Sequence, residues 1–180
     1  VLGDVYRREA GRCLATLVRV LGDLDLAEDA VAEAFAVAAR PWPETGVPPN
    51  PGGWITTTAR NRAIDRIRRE ADRDARHRAA HHLHDPAGDP GDTGPDLGDL
   101  DVVPDDQLRL IFLCCHPALA PATQVALTLR LVAGLETPEI ARGFLVPEAT
   151  LAQRIVRAKR KIRDNHIAYR IPAPHELGER

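Results

Sequence analysis

Apolar residues recur at helical rather than strand spacing along most of the chain. Over residues 1–21, Val5, Leu14, Leu17, Val18 and Leu21 fall near one helix face, and Gly22–Asp23 ends the run. DLAEDAVAEAFAVAA follows, with Asp25 placed to cap a helix and Ala27, Val31, Ala34, Phe35 and Ala38 forming its stripe. The prolines and glycines of RPWPETGVPPNPGG, Arg40 to Gly53, predict a long loop without regular structure. WITTTARNRAIDRIRRE then predicts a helix burying Trp54, Ile55, Ala59, Ala63, Ile64 and Ile67.

The second half repeats the helical pattern. DDQLRLIFLCCHPALAPATQVALTLRLVAG predicts two helices split at His116–Pro117. Leu108, Ile111, Phe112 and Cys115 share a face of the first. Val125, Leu127, Leu129, Leu131 and Val132 make the second apolar nearly all round, hence core, and Gly134 suits its C-terminal cap. In TPEIARGFLVPEATLAQRI, Thr137 can cap a short helix with Pro138 at its first position. Ile140 and Ala141 face inward, Gly143 ends the helix, and Phe144, Leu145 and Val146 fill a corner. Pro147 opens a longer helix with Leu151, Ile155, Ala158 and Ile162 on one stripe. A short helix, a turn and a long helix running into RAKRKIR predict a helix-turn-helix with a basic second helix.

Composition narrows the architecture. The 180 residues are 44% hydrophobic but 4% aromatic, so small aliphatic side chains must build the core and helix packs on helix. No run approaches the length of a membrane span and no secretory signal opens the chain. The absence of Met predicts a processed or trimmed chain, with residues missing beyond its ends. Charge divides it further. Residues 1–80 carry 13 Lys/Arg against 12 Asp/Glu, residues 81–106 none against 8, and residues 107–180 11 against 6. The acidic joint HDPAGDPGDTGPDLGDLDVVPDD cannot bury apolar area and predicts an extended or disordered linker. The expected protein is all-α: a helical domain over 1–80, a flexible acidic linker over 81–104, a second helical domain over 105–168, and the start of a C-terminal extension over 169–180.

Candidate chemistry is that of binding. Asp25, Glu28, Asp29 and Glu33 line one edge of the second helix, either a solvated face or a docking surface for a basic partner. Arg60, Arg62, Arg66, Arg68 and Arg69, with Arg73, Arg76 and Arg78, make either a salt-bridged exterior or a strip for single-stranded DNA. Beyond the apolar stripe of the last helix, Glu148, Ala149, Ala152, Gln153 and Arg157 project outward. His77, His81, His82 and His84 cluster, and Cys114–Cys115–His116 adds two thiols. Zinc sites want spaced pairs, so no metal or cofactor is expected. Adjacent cysteines pair only with strain, and buried thiols of a cytoplasmic protein are the simpler expectation. Nucleophile elbow, phosphate loop and HExxH motifs are all missing, so an enzyme is the least expected class.

Together these segments resemble bacterial RNA polymerase sigma factors of the extracytoplasmic-function (ECF) group. DLAEDAVAEAFAVAA is similar to the helix that docks on the polymerase clamp helices. WITTTARNRAIDRIRR resembles the helix that reads the −10 promoter element. LAPATQVALTLRLVAGLETPEIARGFLVPEATLAQRIVRAKRKIR resembles the domain that reads the −35 element. The resemblance covers about 1–80 and 105–165. NPGGW, FLCCHPALAP and FLVPEATLAQR look closer to the subgroup with a C-terminal helical-repeat extension, which is absent from this chain. It implies that Asp25, Glu28, Asp29 and Glu33 bind polymerase. The Trp42–Gly53 loop, with Asn50 as reader, would capture a flipped −10 base, and Arg60, Asn61, Arg62, Arg66 and Arg69 would hold the non-template strand. Trp42 and Trp54 are the aromatic residues near that site, of which Trp42 belongs to the implied −10 DNA-binding set and Trp54 is expected in the core. Glu148, Ala149, Ala152 and Gln153 would face −35 bases, and Arg154, Arg157 and Arg160 its phosphates. Expected partners are the polymerase core, through its clamp helices and flap, promoter DNA, and an anti-sigma factor or the chain's own extension. The rival is a stand-alone helix-turn-helix regulator that binds duplex DNA without polymerase.

Overall fold

Long amphipathic runs separated by Gly and Pro become helices whose apolar faces must meet. The computed structural model describes residues 1–81 and 104–179. The end positions of the predicted acidic linker, His81 and Pro104, belong to helices, while its residues 82–103, with His82 and His84, lie outside the described residues. Within them there are eight α-helices and no strand: α1 (Leu2–Leu21), α2 (Leu24–Ala38), α3 (Trp42–Thr45), α4 (Pro51–His81), α5 (Pro104–Cys114), α6 (Pro121–Leu131), α7 (Thr137–Gly143) and α8 (Glu148–Asp164). A short 3-10 helix follows at Pro174–Glu179. The all-α expectation holds.

The N-terminal unit packs α1, α2 and α4 against one another. Gly22 closes α1 in the left-handed conformation, φ 71°, and its N–H donates to Val18 O. The cap of α2 is Asp23 rather than Asp25. Asp23 has extended backbone, and its Oδ1 accepts from Leu26 N at 2.8 Å, which leaves Asp25 inside the first turn. The expected irregular stretch after Arg40 is also partly helical. One turn of helix, α3, forms over Trp42–Thr45 and closes at Gly46, φ 83°. Pro51 then opens α4, whose start is held by Asn50 Oδ1 accepting from Gly53 N at 2.9 Å. Prolines at helix N-termini thus start structure here instead of excluding it.

The C-terminal unit packs α6 and α7 on α8 and α5 on α6. Leu151, Ile155, Ala158 and Ile162 of α8 are all buried, as their spacing predicts. Two faces differ from expectation. On α5 the buried set is Asp106, Leu110, Leu113 and Cys114, while Leu108 is exposed and Ile111, Phe112 and Cys115 are half-buried. On α6, Ala126, Leu127 and Leu131 are buried and Val125 is 51% exposed. Thr137 is the first residue of α7 rather than its cap, and the Glu139 carboxylate accepts from Glu136 N at 2.9 Å. Pro147 precedes α8 by one residue.

The two units share one continuous core, because α1 also packs on α5 and α6. Gly11 permits the closest approach: a Cβ there would sit 2.3 Å from Val132 O. Asp106, 1% exposed, pins the same seam through Arg19 Nε of α1 at 2.8 Å and Arg109 of α5 at 2.8 Å. The Tyr169 hydroxyl lies 2.8 Å from Ala15 O and 2.7 Å from Asp106 O, its single proton shared between a carbonyl of each unit.

Candidate functional site

The acidic edge of α2 is densely paired. Asp25 meets Lys159 Nζ at 2.8 Å and Arg163 at 2.9 Å. Glu28 meets Lys159 at 3.0 Å and Arg130 at 3.6 Å. One turn on, Asp29 meets Arg66 at 3.2 Å and Glu33 meets Arg62 at 3.8 Å. The edge therefore lies between two basic helices, α8 on one side and α4 on the other. The pairs of Glu28 with Lys159 and Arg130 are partly buried, whereas the Asp25–Arg163 pair and those towards α4 are open to solvent. Burial alone would push Lys159 down, but hydrogen bonds to Asp25 and Glu28 and their charges hold its pKa above the ordinary lysine value. For Arg130, burial likewise pulls down and Tyr6 and Glu28 more than reverse it.

On α4, Asn61, Arg62, Arg66 and Arg69 are exposed on the outer faces, since Ile55, Ala59 and Ala63 turn inward. Arg66 also bonds Glu70 at 3.1 Å, and Arg69 Nε donates to Asp65 O at 3.0 Å. Arg60 is half-buried, and its Nε has no hydrogen-bond partner among the described residues. Trp42 requires correction. It is 7% exposed and packs edge-on against Trp54 with centroids 5.4 Å apart. Trp54, expected in the core, is the more open of the two. The α3 turn carries the Trp42 indole inward, so the side chain is part of the core rather than exposed on the loop. Asn50 is exposed, but its Oδ1 is spent on capping α4.

The helix-turn-helix presents a clean outer face. Glu148, Ala149, Gln153, Arg157 and Arg160 are exposed on α8, with Ala152 and Arg154 half-buried. The Arg154 guanidinium lies 5.9 Å from the Phe144 ring centroid, which ties it back to the turn that precedes α8. Arg160 pairs with Asp164 at 3.2 Å. The structure thus gathers the α2 acids and the α4 arginines on one side of the N-terminal unit, and the α8 residues on one helix face. Missed from the sequence are Lys159, Arg163 and Arg130 as partners of the α2 acids, and Asp106, Arg19 and Tyr169 at the seam. Lys159 and Arg163 sit one residue after Ala158 and Ile162 of the stripe, a flanking position that could have marked them as contacting a packed neighbour.

The described residues hold no cluster of three metal-ligating side chains, and no helix among them is long and apolar enough to cross a membrane.

Comparison with known proteins matches both units of the chain. Sigma-70 region 2 matches residues 5–73, and sigma-70 region 4 matches residues 109–162. The chain is 39% identical over 172 residues to an uncharacterized protein of Rhizobium meliloti, covering 94% of this chain and 40% of that protein. It is 32% identical over 160 residues to the probable ECF RNA polymerase sigma factor SigI of Mycobacterium tuberculosis, covering 88% of this chain and 53% of that one. The chain thus spans about half or less of the length of these relatives. No solved structure is a significant match. With both regions present, in order, along the chain, it belongs to the sigma-70 family of RNA polymerase sigma factors, of the ECF type.

Proposed function

We propose that this chain binds RNA polymerase core and directs it to promoters as a non-catalytic specificity subunit. Asp25, Glu28, Asp29 and Glu33 on α2 dock on the polymerase clamp helices. Asn50 and the α4 set Arg60, Asn61, Arg62, Arg66 and Arg69 engage the −10 element. On α8, Glu148, Ala149, Ala152 and Gln153 face −35 bases, while Arg154, Arg157 and Arg160 hold its phosphates. Trp42 leaves the −10 set because of its burial. The site of action is the cytoplasm, where polymerase works.

The observation that carries this reading is the pairing of the α2 acidic edge and the α4 basic strip within one unit, ahead of a helix-turn-helix in the other. A stand-alone duplex-binding regulator would use the second unit and give the first no task. The test is core-polymerase pull-down and in vitro transcription with the chain and with Glu28→Lys/Asp29→Lys. Capture of core by the chain, and its loss on charge reversal, is the expected result. Binding to duplex DNA without any binding to core would overturn the reading in favour of the regulator.

A further inference from the structure

We propose that the acidic edge of α2 has two mutually exclusive occupants: the polymerase, and the chain's own C-terminal unit. This rests on the reading of α2 as the polymerase-docking helix. Half of that edge, Asp25 and Glu28, is already covered by Lys159 and Arg163 of α8 and Arg130 of α6, at 2.8 to 3.6 Å. These cations come from the other unit, whereas Arg62 and Arg66, which face Glu33 and Asp29, belong to the same unit and travel with it. A basic surface of the polymerase must therefore displace Lys159, Arg163 and Arg130 to reach Asp25 and Glu28.

The closed arrangement is specific. Behind the ionic edge lie the buried Asp106 carboxylate on Arg19, the Gly11 approach to Val132, and the Tyr169 hydroxyl between Ala15 O and Asp106 O. It is also incompatible with promoter reading. A compact body of this length has a radius of gyration of about 16 Å, or about 40 Å across. Elements centred about 25 base pairs apart are separated by roughly 85 Å of duplex. Promoter reading thus requires the seam to open. The closure is selective, because Glu148, Ala149, Gln153, Arg157 and Arg160 stay exposed while Asp25 and Glu28 are engaged. The free chain hides its polymerase edge and leaves its duplex-reading helix open.

The experiment compares the chain with Lys159→Glu/Arg163→Glu, which places like charges against Asp25 and Glu28. Solution scattering reads compactness, and equilibrium binding to purified core polymerase reads affinity. The variant is expected to expand beyond the compact radius and to bind core about tenfold more tightly. Three results overturn the proposal and leave the docking reading intact: a variant that stays compact, one that expands but binds core equally, and one that binds core more weakly. If neither chain binds core, the docking reading fails and takes the proposal with it. Should circular dichroism show lost helicity in the charge variant, Tyr169→Phe carries the same test. It removes the shared hydroxyl bonds without altering charge, with expansion and about threefold tighter core binding expected.

Discussion

Leu145 sits in the turn of the helix-turn-helix with φ 53° and 92% of its surface exposed. A branched side chain costs about 1–2 kcal/mol in that left-handed conformation, and here no packing offsets it. Leu145→Asn should raise the melting temperature and Leu145→Ile should lower it. The gap is expected to be about 1 kcal/mol, or about 2–4 °C for a chain of this size. Trp42 is the opposite case, a residue in a proline-rich stretch that is nonetheless core. Trp42→Ala should destabilise the chain by about 3–5 kcal/mol in denaturant melts. A cost below 1 kcal/mol would return the indole to the surface. The thiols supply a pH dependence. Burial pushes Cys13 up to about 11 and, with the neighbouring Cys115 charge, Cys114 up to about 12. Both are raised above the unfolded value of 9.0, so their contribution is complete below about pH 9. Above it the unfolded chain sheds the proton first, and stability falls by about 1.4 kcal/mol per pH unit for each thiol. Urea melts between pH 9 and 10.5 should show a shallower decline for Cys114→Ala than for the parent chain. Equal slopes would mean that Cys114 ionises in the fold as easily as outside it.

At the scale of elements, what was legible depended on how many faces of a helix were apolar. The α8 stripe was readable residue by residue because its other faces are charged, which leaves one way to turn the helix inward. On α5 the sequence offers apolar residues on two faces, and the choice is made by Asp106. Its carboxylate is satisfied only against Arg19 of α1 and Arg109, so Leu110, Leu113 and Cys114 go inward with it. A pattern that counts only apolar positions cannot see this, because the deciding partner lies 87 residues away. Trp42 and Trp54 were exchanged for a related reason. A helical period placed Trp54 inside and proline density placed Trp42 outside, but Pro41 and Pro51 sit at helix starts, where a missing N–H costs nothing. The candidate binding residues were legible as charge on helices. Their partners across the seam were not, since sequence spacing carries no information about which helix of one unit meets which helix of the other.

At the scale of the whole molecule, the segment joining the two units must reconcile a closed body with distant DNA elements. Residues 82–103 can reach at most about 75 Å when extended. Each unit of about 80 residues is about 30 Å across. Their centres can therefore stand roughly 105 Å apart, beyond the roughly 85 Å between element centres. Deleting residues 87–98 shortens the reach to about 34 Å and the centre separation to about 64 Å, short of the requirement. The shortened chain should still bind core polymerase, because the α2 edge is untouched. It should also still transcribe from promoters that depend on the −10 element alone. It should lose the stimulation that a −35 element gives in transcription assays with matched templates. Retained stimulation would mean that the two units do not read those elements from a single chain, and a second copy would then have to supply one of the two contacts.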